Sequence, residues 1–322
     1  MPPCWKAPDN LSNNKKETIM KKMLTLIAAA FLALVPVMAA NGNAEAVITE
    51  TKTYQVDYFD ALEVSWIYHV ELNKSASNAV QVEAPDFLMP YLQVKVRKAR
   101  LILSVSELPK DIRKKIEKGN YKVLATVDIQ ELNKVEMSGA SRLVASGEFH
   151  PSSFKMNLSG ATSVKGLAIT ANSADIQCSG ASKFQMSGEM EKAKLDLSGA
   201  AKGEIVGDSH TLDIDVSGSG KLSLSGNYFE AKMEVSAAGH VNVKGSLEAV
   251  RIEGSGASKL DLSECVTSEA RIELSGASSA RIHVLNKLGV SLSGASNCYY
   301  KGGDQLQIVE TDVSRGSSLK KL

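Results

Sequence analysis

Apolar residues alternate with polar ones along most of this chain, and a recurring tripeptide sets their phase. Ser-Gly-Ala begins at Ser138, Ser159, Ser179, Ser198, Ser255, Ser275 and Ser293, with degenerate copies at Ser217 (Ser-Gly-Ser) and Ser236 (Ser-Ala-Ala). Successive copies lie 18–21 residues apart. Three residues before each serine stands an apolar residue, from Val135, Met156 and Ile176 through Leu195 and Ile214 to Val290. The positions one before, five after and seven after are mostly apolar as well, as in Leu197, Leu222 and Leu224. Charged and polar residues fill the places between. A period of two belongs to a strand with one buried face, not to a helix.

A strand pattern that repeats about every 20 residues in columns of like residues predicts an all-β fold, a single-stranded parallel β-helix with coils of about 19–20 residues. Equivalent residues then stack at about 4.8 Å, so nine coils make a stack roughly 40 Å long. An antiparallel sandwich would need no such columns, and the Leu/Asn consensus of a leucine-rich repeat is absent. The Ser-Gly-Ala sites read as corners, where Gly supplies backbone angles barred to other residues and Ser and Ala are small enough to stack. Gly147, Gly188, Gly207, Gly226 and Gly245, nine residues after their serines, read as an opposite bend.

Outside the repeats (136–300) the pattern changes. The domain is expected to span 47–322, with N-terminal strands and a short helix over 47–135 and a C-terminal cap at 301–322. Val80, Val82, Val94, Val96, Leu101, Leu103 and Val105 alternate as strands do, whereas Ile112 and Ile116, four apart between Pro109 and Gly119, predict a short helix. Met20-Lys21-Lys22, the apolar run Met23–Val37 and the small residues that follow are laid out as a secretory signal peptide over 20–40, too short to span a bilayer. Residues 1–19 are read as an upstream mis-start segment, with translation beginning at Met20. The chain is thus expected to be exported, to the periplasm, the outer-membrane surface or the extracellular space, with no transmembrane helix in the mature chain.

Composition narrows the function. The 322 residues carry 37 basic and 36 acidic side chains, without the basic excess of a nucleic-acid binder. Four cysteines exclude a disulfide scaffold, and Cys178 and Cys298 fall in inward columns as small buried hydrophobes. The five histidines have no metal-ligand spacing, and neither a nucleophile elbow nor an intact phosphate loop is present.

The opening Phe59-Asp60-Ala61-Leu62-Glu63-Val64, the alternating strands and the serial Ser-Gly-Ala-Ser corners resemble the bacterial head GIN domain family, a Bacteroidetes-type secreted β-helix family named for an autotransporter adhesin head. The resemblance runs from about Tyr54 to Leu322. It implies a right-handed β-helix in a cell-envelope or secreted setting, and it implies no catalytic residues. A true autotransporter ends in a large membrane barrel and about 20 residues follow the last repeat here, so self-export across the outer membrane is not expected.

The remaining signal is charge. Two residues before each serine runs an acidic column that includes Glu136, Asp196, Asp215, Glu234, Glu253 and Glu273. Four residues after runs a basic one, Arg142, Lys183, Lys202, Lys221 and Lys259, interrupted at Ser163 and His240. These five basic residues are the candidate binding face, for an acidic glycan or protein of the cell surface or extracellular space. The expected function is a non-catalytic secreted or envelope β-helix module, an adhesin or a glycan- or protein-binding surface protein, with no cofactor or metal. The alternative is a β-helix polysaccharide lyase or hydrolase, with Asp196, Asp213 and Asp215 as a calcium cluster that Lys194 on the same face opposes.

Overall fold

The computed structural model describes residues 48–119 and 121–322; the signal read at 20–40 and the segment 1–19 lie outside them. Within each coil a strand enters the Ser-Gly-Ala corner and a second strand leaves it. The entering strands Ser153–Leu158, Ala171–Cys178, Met190–Leu197 and Ser209–Val216 pair parallel and in register, as do the leaving strands Arg142–Ser146, Ser163–Ile169, Lys183–Ser187 and Lys202–Val206. From Lys221 onward the leaving strand runs unbroken past the second bend into the next entering strand, giving Lys221–Val235, His240–Gly254, Lys259–Leu274 and Ser279–Leu292. The result is a parallel β-solenoid of about 10 turns, with the alternating apolar residues filling one continuous core.

Backbone angle explains the corner. The Gly of each Ser-Gly-Ala copy has φ between +67° and +74°, the region open chiefly to glycine. A Cβ on Gly160 would stand 2.6 Å from the carbonyl oxygen of Gly139 in the coil before it. The following N–H donates to that same carbonyl, Ala161 to Gly139 at 2.7 Å and Ala181 to Gly160 at 2.8 Å, so the corners form their own ladder of hydrogen bonds. The residue after Ala then turns inward. Ser141, Thr162, Ser182, Ser258, Ser278 and Ser296 are fully or almost fully buried, and Ser278 donates its hydroxyl to the Ser275 carbonyl at 2.7 Å. The fourth residue of the motif is therefore an interior column, a role its polarity hides in the sequence.

Irregular spacing between copies is absorbed away from the corners. Where Ser159 and Ser179 are 20 apart, a bulge between Val164 and Leu167 carries the extra residue, and Leu167 replaces Gly166 in the inward column. A similar shift lies between Asn242 and Lys244.

Strand order departs from chain order at the N-terminal end. Ala61–Val64 lies between Arg100–Val105 and Lys134–Met137, and Tyr68–Lys74 lies between Val123–Ile129 and Arg142–Ser146. The chain thus lays down its second coil first, runs outward and returns to build the outer coil. Ser65-Trp66-Ile67-Tyr68 is the corner of that early coil, with Trp66 at φ +71° in the glycine position and Tyr68 fully buried in the serine position. Antiparallel strands flank the outer coil, Leu92–Arg97 on one face and Ala79–Pro85 with Thr49–Tyr54 on the other. The helix expected between Pro109 and Gly119 is present as α1 (Lys110–Lys118), with Ile112 and Ile116 against the core. At the other end, Gln307–Val313 and Ser318–Lys321 stack parallel on the last repeat, so residues 301–322 cover it by adding a further coil.

Cys178, Cys265 and Cys298 are free and buried. Burial pushes their thiols up to about 12, 11 and 12, which suits inert core residues. Among the described residues no helix is long and apolar enough to cross a membrane.

Candidate functional site

Parallel in-register stacking converts a sequence period into a row of neighbours. Arg142, Ser163, Lys183, Lys202, Lys221, His240 and Lys259 pair one to the next along the leaving strands, so the structure brings all five predicted basic residues into a single column. The five are exposed because they alternate with the inward Leu143, Phe184, Gly203, Leu222 and Leu260. Adjacent rungs are about 4.8 Å apart. None of the five forms an ion pair among the described residues.

Acids share this face. Glu204 accepts from Gln185 at 2.9 Å, and Asp261 accepts from the Ser263 hydroxyl at 2.6 Å. Burial, and then the charges of Lys221 and Lys259, hold His240 below the usual histidine range. A neutral His240 therefore fills its rung at neutral pH, between Lys221 and Lys259 and with Asp261 partly offsetting their charge.

The acidic column on the entering strands is different in kind. Glu63, Glu136, Asn157, Gln177, Asp196, Asp215, Glu234, Glu253 and Glu273 stack in one row. Basic residues of the same or a neighbouring strand pair with both ends of it. Lys134 meets Glu136 at 2.7 Å and Arg100 meets both Glu63 and Glu136, while Arg251 bridges Glu253 and Glu273. Only the middle, Asp196 and Asp215 with Asp213 beside them, has no cation within ion-pair distance among the described residues. Burial, then Asp196, Glu234 and Asp213, raise Asp215 above the ordinary aspartate value. Asp213 stacks on Lys194, and no group of three or more His, Cys, Asp or Glu among the described residues is placed to hold a metal.

A third feature was not singled out from the sequence. A long concavity follows the second bend, where Asp208, Asn227 and Ser246 occupy successive rungs. The Asn227 side-chain amide and backbone N–H both donate to Asp208, the latter at 2.8 Å, and Ser246 donates to Asn227 at 2.7 Å. Beside them the rings of His210 and Phe229 stack at 4.6 Å. The 19-residue spacing of Asp208, Asn227 and Ser246 was the available signal.

The molecule is thus a parallel β-solenoid that carries one charge column paired at both ends and one column without ion pairs among the described residues. A profile of the family described as "Putative auto-transporter adhesin, head GIN domain" matches residues 58–208 and 194–303, and the chain belongs to that family. The chain is also similar to crystal structures described as "a putative adhesin from Parabacteroides merdae" (17% identical, covering 85% of this chain and 96% of that one, TM-score 0.48) and "putative adhesin from Parabacteroides distasonis" (15%, 85% and 97%, TM-score 0.48). Another, described as "Putative lipid binding protein from Parabacteroides distasonis", is 14% identical with a TM-score of 0.44, covering 85% of this chain and 96% of that one. No curated protein matches the chain.

Proposed function

We propose that this chain is an exported, non-catalytic adhesin module that holds an acidic surface polymer, glycan or protein, along the column Arg142, Lys183, Lys202, Lys221 and Lys259. The family it belongs to, named for an adhesin head, supports the coarse role. The observation that carries the finer reading is the contrast between the columns: most side chains of the acidic column have cations from their own strand, whereas the basic residues have no ion-pair partner among the described residues. A row of exposed cations spaced one or two rungs apart, about 4.8 Å per rung, suits an extended polyanion. Each contact is solvated and individually weak, so retention depends on several together and falls as salt screens them.

Binding of the parent and of Lys183→Gln/Lys202→Gln/Lys221→Gln to a panel of acidic polysaccharides at low and moderate salt tests this. The parent should bind weakly and lose binding as salt rises. The triple variant should lose at least about tenfold with an unchanged melt, because it removes three of the shared contacts. Equal binding by the two proteins, or no binding by the parent, would remove the column from the function.

A further inference from the structure

A second concentration of positive charge lies at the N-terminal end of the stack. Residues 95–122 hold ten basic side chains against three acidic ones, Glu107, Asp111 and Glu117. The described residues outside this segment carry 22 basic against 30 acidic. The segment comprises most of the hairpin Leu92–Arg97/Arg100–Val105, helix α1 and the approach to Val123–Ile129, which the strand order places at one end of the stack. Arg100 pairs with Glu63 and Glu136. The other nine basic residues are exposed and form no ion pair among the described residues.

The packing of α1 decides what kind of surface this is. Ile112 and Ile116 lie against the core, Lys115 sits 4.0 Å over the Phe87 ring, and Phe87 meets Tyr121 edge-on at 5.0 Å. The apolar side of the helix is therefore engaged inward, and Lys110, Lys114 and Lys118 face solvent. Contact with a partner at this end is electrostatic, without insertion of the helix.

We propose that this end is a docking surface for an anionic phospholipid bilayer. The side column is one residue wide and suits a chain. Here the cations come from separate elements, the hairpin tip at Lys98, the solvent side of α1 and Lys122, which suits a plane of phosphates. The acidic excess of the other described residues disfavours contact through the rest of the surface. Docking through the end leaves the Lys183–Lys202–Lys221 column lateral and free, so the inference does not depend on what that column binds.

Residues 47–322 form a self-contained unit that includes the whole described core, so they can be tested without the apolar segment 23–37. The experiment is co-sedimentation with vesicles of phosphatidylcholine alone, or with about a third phosphatidylglycerol, at low and moderate salt. Binding should require phosphatidylglycerol and fall with salt. A basic residue near an anionic surface contributes about fivefold, so Lys110→Gln/Lys114→Gln/Lys118→Gln should weaken binding on the order of a hundredfold. Lys98→Gln/Lys122→Gln, outside the helix, should weaken it roughly 25-fold. Lys183→Gln/Lys202→Gln/Lys221→Gln should bind vesicles as the parent does. No binding by the parent, equal binding to both vesicle types, or an equal loss in the side-column variant would overturn the proposal.

Discussion

At the corner, one backbone angle decides which side chain is tolerated. Gly199 has φ +67°, and a Cβ there would stand 2.9 Å from the Gly180 carbonyl oxygen, which also accepts the Ala200 N–H at 2.8 Å. A left-handed conformation costs an ordinary residue about 1–2 kcal/mol, and β-branching adds to it. Gly199→Val should therefore lower stability by at least about 2 kcal/mol, read as a fall in the melting midpoint. Ala237 takes the glycine position at φ +55°, so Ala237→Gly should work the other way. Its gain is about 0.5–1 kcal/mol after the extra entropy of glycine in the unfolded chain is subtracted. A Gly199 variant that melts with the parent would show that the corner angle is not what selects glycine. The glycine column is legible in the sequence because only one residue type suits that angle. The inward Ser141, Ser182 and Ser258 are not, because a hydroxyl reads as surface until the turn that buries it is known.

At the scale of a strand, register turns sequence spacing into electrostatics. Asp215 is stacked between Asp196 and Glu234, with burial and these neighbours raising its pKa. The folded protein thus holds this proton to a higher pH than the unfolded chain does. Its contribution to stability is complete below the unfolded value and is lost as pH rises through the folded one. Asp215→Asn should melt slightly higher than the parent near pH 7, and the difference should vanish as pH falls to about 3.8 and below. The same column already holds Asn157 and Gln177, so the amide fits the position. Thermal melts across pH decide it: a variant less stable at neutral pH would mean the carboxylate is a favourable contact. The columns themselves were readable from the positions of Arg142 to Lys259, since a parallel in-register stack leaves no other placement for equivalent residues. Their pairing was not. Whether Glu204 and Asp261 form ion pairs with the lysines depends on side-chain geometry, and among the described residues they hydrogen-bond to Gln185 and Ser263 instead. The early coil was also hidden, because Ser65-Trp66-Ile67-Tyr68 shares only its serine with the other corners and both of its stacking neighbours, Arg100–Val105 and Lys134–Met137, lie beyond residues 79–99.

Across the whole stack each coil touches mainly the coils on either side, so stability is close to a sum of coil and interface contributions. That arrangement makes a stringent prediction about length. Removing Ser198–Val216 takes out one 19-residue coil and joins Leu197 directly to Ser217. Every column stays in phase: Leu195 is followed by Met233, Cys178 by Leu197 and then Val235, and the Ser217 N–H, which donates to the Leu197 carbonyl in the parent, stands where Ser198 donated to Cys178. The shortened chain should fold with a β-rich circular dichroism spectrum and a modestly lower melting midpoint. Removing Ser198–Gly207 instead shifts every later residue by half a coil. Corner serines would then meet the second bend, inward leucines would lose their neighbours, and the chain should not fold cooperatively. If both deletions fold equally well, the stacking of like residues is not what specifies the solenoid; if neither folds, the coils are coupled over more than their nearest neighbours.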